Sequence, residues 1–140
     1  MPRFVSLALL LACASLPVGA CGGDAPVPTS PTPSGPTSVT ETFAGELNRN
    51  GARTHTFLAQ ASGTVTATLD TLAPDTTAAI GLSLGTWNGS ACQIVIANDN
   101  AAKGAVVVGA ASTAGNLCVR VYDVGKVSDL TSYALTVVHP

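Results

Sequence analysis

From Val39 onward apolar and polar residues alternate with a period of two, and each run stops at glycine, asparagine or aspartate. Alternation of this kind sends successive side chains to opposite faces of a strand, so the chain has to bury one face of a sheet. Eight strands are predicted, over 40–47, 53–60, 64–70, 77–84, 92–97, 105–111, 117–124 and 132–139. Between them lie turn residues such as Asn48-Arg49-Asn50-Gly51 and Ala61-Ser62-Gly63, and short connections of that chemistry imply antiparallel sequence neighbours. No window shows helical spacing beside a capping residue. The fold class predicted is all-β, an antiparallel sandwich.

Alternation also assigns the inward face. It takes His55 and Phe57; Val65, Ala67 and Leu69; Ile80, Leu82 and Leu84; Ile94 and Ile96; Leu117, Val119 and Val121; and Tyr133, Leu135 and Val137. Threonines and Arg120 fall on the opposite faces, as in sheets wet on one side. With three Phe, two Tyr and one Trp, the core is thin for its length, and a covalent staple matters.

The four cysteines sort by position. Arg3 and the apolar run 4–16 read as a signal segment, too short to span a bilayer. The run ends in Leu16-Pro17-Val18-Gly19-Ala20-Cys21, small residues before a cysteine, which is the pattern of a lipoprotein cleavage site. Cys13 is then discarded with residues 1–20, and Cys21 becomes the lipidated N-terminus. Cleavage by ordinary signal peptidase after Ala20 is the alternative, and would leave Cys21 as an odd thiol. Gly22, not Asp, follows the cysteine, and the resemblance to the lipoprotein class implies an outer-membrane or surface destination rather than inner-membrane retention. Cys92 and Cys118 remain, and an even remainder in an exported domain reads as a disulfide. Residues 21–39 hold Pro26, Pro28, Pro31, Pro33 and Pro36 among Gly, Ser and Thr, a composition that gives an extended, unfolded tether. The sandwich would occupy 40–140.

Net charge is −2 overall, and without Arg3 five basic residues stand against eight acidic ones, net −3. No basic patch is available to neutralise phosphates, so nucleic acid is excluded as a partner.

Phe43-Ala44-Gly45, Thr54-His55-Thr56-Phe57, Ala61-Ser62-Gly63-Thr64-Val65, Leu82-Ser83-Leu84, the run from Ala114 to Tyr122 and Tyr133-Ala134-Leu135-Thr136-Val137 resemble the bacterial pre-peptidase C-terminal domain, over nearly all of 40–140. The resemblance implies a jelly-roll-like β-sandwich, a domain usually appended to secreted peptidases, with relatives that bind collagen or calcium. Thr-Thr-Ala-Ala-Ile precedes Leu82 where the family carries acidic residues. No cofactor is expected for that reason, calcium being the one ion in question.

The remaining candidates each have two readings. Asn98-Asp99-Asn100 gathers oxygens in one turn, and Asp75 sits in a loop that could share that end of the sandwich; calcium wants six to eight oxygens, whereas Asn and Asp in turns ordinarily bond their own backbone. Trp87, on a predicted hairpin tip beside Asn88-Gly89, either folds over the core or offers its indole to a sugar or protein. Gly81-Leu82-Ser83-Leu84-Gly85 matches G-x-S-x-G, with Asp123 or Asp129 and then His139 following in hydrolase order. A nucleophile elbow needs a strand-to-helix turn, yet Ser83 falls inside an alternating strand with its hydroxyl toward solvent. His139 reads as frayed. The expectation is a non-catalytic, lipid-anchored envelope or surface protein whose domain serves as a binding, accessory or structural module. An adhesin for an extracellular glycan or protein is the alternative, with a minimal serine hydrolase behind it.

Overall fold

In a computed structural model, residues 35, 37–75 and 78–140 are described. The expected signal segment, the lipidation candidate Cys21 and most of the expected tether lie outside them.

The described chain is all β, in eight strands: β1 (Val39–Leu47), β2 (Ala52–Ala59), β3 (Gly63–Ala73), β4 (Ile80–Trp87), β5 (Cys92–Ala101), β6 (Val106–Ala111), β7 (Gly115–Tyr122) and β8 (Thr131–His139). They form two four-stranded sheets, ordered β1-β8-β3-β6 and β2-β7-β4-β5, with every pairing antiparallel. First pairs with last, second with seventh, third with sixth and fourth with fifth. This is a jelly roll, one long hairpin centred on residues 88–91 and rolled so that its arms close two facing sheets.

The expectation that sequence neighbours pair is corrected by this topology. Only β4 and β5 form a hairpin; the other short connections carry the chain across to the opposite sheet. Turn residues mark where the backbone reverses, but they do not say whether the next strand pairs in the same sheet or crosses to the facing one, and both arrangements bury the apolar faces between the sheets.

The core follows the alternation over most of its extent. Val65, Ala67 and Leu69 of β3 interleave with Leu82 of β4, Val119 and Val121 of β7, and Leu135 and Val137 of β8, all buried. Ile94 and Ile96 depart from it, at 45% and 40% exposed, with Val95 between them at 76%. β5 is an edge strand, and its pairing with β4 shifts register between Leu84 and Gly85, so neither face of this stretch is fully covered.

Strand bounds shift where polar residues were read as breaks. β3 runs on to Ala73 through the buried Leu72, β4 spans Ile80–Trp87 rather than 77–84, and Asn98-Asp99-Asn100 continue β5 rather than forming a turn. An edge strand tolerates such residues because one rim faces water.

Candidate functional site

The sheet β2-β7-β4-β5 has an outer face with an unusual relief. Opposite the inward Ile80, Leu82 and Leu84, β4 presents Gly81, Ser83 and Gly85, small residues on which other groups lie. A Cβ at Gly81 would stand 2.2 Å from the Tyr122 ring, so that ring rests on the strand itself. A Cβ at Gly85 would stand 2.1 Å from the carbonyl oxygen of Gln93. The start of β5 therefore lies against β4 where a side chain would project, which only glycine permits.

That close approach carries Cys92 within reach of Cys118 on β7. The two form a disulfide with a Cα–Cα distance of 5.8 Å and an S–S length of 2.08 Å. The expected bridge is thus present and joins the fifth and seventh strands. The adjoining turn is fixed as well: Asn88 Oδ1 accepts from the Ser90 and Ala91 N–H groups at 3.0 and 2.8 Å and from the Ser90 hydroxyl at 3.1 Å. Asparagine at the start of a turn closes it in this way.

Between the fixed hairpin tip and the sheet lies a shallow cleft of about 430 Å3, lined by Ala52, Thr54, Trp87, Ser90, Ala91, Cys92 and Arg120. Trp87 is half-buried here. It covers neither the core nor a free tip, so the reading of it as a lid on the core is corrected: its indole forms a wall of the cleft. Arg120 is also half-buried, whereas the other described lysines and arginines are exposed. Its guanidinium carbon stands 5.6 Å from the centroid of the Tyr122 ring. The Tyr122 hydroxyl donates a hydrogen bond to Asp99 Oδ1. Burial first, and then the Asp99 carboxylate, push the phenol up to about 12 against the opposing pull of Arg120, so it remains a donor at neutral pH.

The oxygen-bearing candidates are each engaged. Asn98 Oδ1 accepts from the Asn100 N–H at 3.0 Å, Asp99 takes the Tyr122 hydroxyl, and Asn100 Oδ1 accepts from Lys126 Nζ at 3.1 Å. Asp75 lies beside Lys126, Ser128 and Asp129 around a depression of about 50 Å3, so its loop does share an end of the sandwich with Asn100 through Lys126. Among the described residues, no three of His, Cys, Asp and Glu are arranged to hold a metal ion.

The residues of the G-x-S-x-G reading are not brought together. Ser83 is 0% exposed, against the expectation that it faces solvent, and its hydroxyl donates to the Arg120 carbonyl at 3.3 Å. It lies on a central strand between β7 and β5, directly opposite Arg120. His139 belongs to the other sheet and is not frayed: at 2% exposed it packs 4.9 Å from the Phe57 ring and meets Glu41 Oε1 at 3.0 Å. His55 does face the core, as alternation implies. It stacks on Phe43 and shares a 2.8 Å hydrogen bond with the Tyr133 hydroxyl, and burial lowers its pKa.

Two features of the site escaped sequence reasoning although their signals were present. Cys118, Arg120 and Tyr122 share parity on β7, so a bridge to Cys92 had to carry the Trp87 hairpin toward Arg120. His139 shares parity with Tyr133, Leu135 and Val137, which predicts burial. Asp123 at the opposite end gave no warning: its carboxylate accepts from the N–H groups of Asn50, Gly125, Lys126 and Val127, all within 2.9 Å, and holds two loops together.

The fold and cleft together define a jelly-roll domain with a covalently clamped recess on one outer face. No family model matches the chain, and no curated protein matches it.

Proposed function

We propose that the protein is an exported, non-catalytic binding protein, anchored through lipid on Cys21 and presenting its jelly roll on the tether of residues 21–39. The observation that carries the binding role is the cleft between the clamped hairpin and the sheet, which Trp87 and Arg120, each half-buried, both line. Fixed side chains bind with less ordering cost than mobile ones, which is what distinguishes a recess from an ordinary patch of surface. Export is supported by the Cys92–Cys118 bridge, a bond that persists in oxidising compartments. The non-catalytic reading is supported by the engagement of Ser83 with Arg120 and of His139 with Glu41. An accessory domain of the pre-peptidase C-terminal kind, on an envelope lipoprotein, is the setting in which we place it.

Anchoring is tested by phase partition. The wild type should enter the detergent phase with an acyl mass on Cys21, and Cys21→Ser should remain aqueous; an unmodified, aqueous wild type refutes the anchor. Binding is tested on arrays of matrix proteins and glycans probed with the full-length protein in detergent. Signals should vanish in Trp87→Ala, and an array silent for the wild type refutes the binding role. Turnover of ester, peptide or glycoside substrates that Ser83→Ala abolishes would refute the non-catalytic reading.

A further inference from the structure

The cleft's chemistry is more specific than binding in general. Its wall is a single indole, its floor is pleated sheet carrying the Thr54 hydroxyl, and its rim carries the Ser90 hydroxyl on a pinned turn. Arg120 contributes a guanidinium which, among the described residues, forms no ion pair; the one salt bridge there joins His139 to Glu41. Among the described residues its cation–π partner is the Tyr122 ring, a contact that holds the guanidinium over the ring face and leaves its N–H edge for a ligand. Half-burial raises the value of an unpaired cation to an incoming anion, because partial exclusion of water strengthens the pair. Arginine's planar fork matches a carboxylate with two parallel hydrogen bonds.

From this we infer that the cleft binds an acidic saccharide, with a sugar ring lying on Trp87 and its carboxylate paired to Arg120. This rests on the binding role proposed above and names its ligand class. A pyranose ring matches the site on three counts. Its axial C–H face suits an indole, its hydroxyls suit Thr54 and Ser90, and a uronic acid places its carboxylate at the ring's rim, beside the stacking face. The recess is shallow and open and offers no deep apolar hole for the side-chain anchor on which a peptide would depend. The protein's net charge of −2 opposes any polyanion, so the pairing with Arg120 and the ring contact together have to outweigh it.

The test uses full-length protein in detergent, with Trp87 fluorescence and calorimetry as readouts. Three probes are compared: an oligogalacturonate, the same oligomer with its carboxyls reduced to alcohols, and an oligoglutamate of similar charge. The oligogalacturonate should bind and perturb Trp87 emission. Carboxyl reduction should weaken binding at least tenfold, and raising salt from about 0.05 to 0.5 M should weaken the acidic oligomer far more than the reduced one. Arg120→Gln should bring the acidic oligomer down to the level of the reduced one, and Trp87→Ala should weaken both. The carboxyl comparison leaves the protein untouched, so it decides the matter even if a variant misfolds. Equal binding of the acidic and reduced oligomers overturns the assignment of charge to Arg120. Preference for oligoglutamate overturns the saccharide class in favour of an acidic peptide, while the binding role stands. If the oligogalacturonate fails to bind, the inference is overturned, and a glycan or matrix array that still gives Trp87-dependent signals shows that the broader binding role survives.

Discussion

At the scale of single residues, the tightest positions are glycines under other groups rather than glycines in turns. Gly85 is the most exacting. The Gln93 carbonyl lies where its Cβ would be, and a backbone atom cannot rotate aside as a side chain can. Gly85→Ala should cost about 1–3 kcal/mol in overpacking, and it should lift the start of β5 from the sheet, so that Trp87 emission shifts to the red in the native protein. Thermal unfolding and fluorescence measure the two effects separately. His55 sets a pH dependence whose sign follows from its burial. The folded ring holds a proton less tightly than an unfolded histidine, whose pKa is about 6.5. Its contribution is therefore complete above that pH and is lost as the pH falls through the lower folded value. Denaturant titrations between about pH 7 and 5 should show stability declining with acid, and His55→Gln should flatten the decline.

At the scale of strands and turns, the Cys92–Cys118 bond has two separable roles. By closing a loop of separation 26 it should stabilise the fold by about 3–4 kcal/mol in the chain-entropy model. It also presses the 88–91 turn against β7. Reduction should lower the melting temperature and, in hydrogen exchange under native conditions, deprotect residues 88–93 well before β8. Uniform deprotection across both segments would show the bond acting only on the unfolded chain. The legible and illegible parts of the sequence divide at this scale too. Parity was enough to place Val119, Val121, Leu135 and Val137, because a central strand has one dry face and one wet one. It failed at Ile94 and Ile96, where the edge position and a register shift leave both faces wet, and at Ser83, which is buried on the outer face of a central strand opposite Arg120. Neither cause is written in the strand's own residues. The cleft was legible only in fragments: Trp87 and the cysteines stood out as residue types, but the bend that assembles them depends on Gly85 and on which strands are neighbours.

For the whole molecule, the rolled pairing of first strand with last governs how the chain folds. Almost every sheet contact joins residues distant in sequence, with β4–β5 the one local hairpin. Loop-closure entropy is spent before such contacts form, so refolding should fall in the slow range, milliseconds to seconds, typical of non-local β topologies. Stopped-flow Trp87 fluorescence measures this, and refolding in microseconds would be inconsistent with the topology. The same pairing sets Val39 directly opposite His139, with β1 held to β8 in register along all nine of its residues. A load applied at Val39 along the axis of β1 meets that whole ladder at once. All the β1–β8 hydrogen bonds then bear the tension together in shear, where a pull across the strand would peel them one at a time. The β1–β8 ladder is therefore built to hold under an axial load.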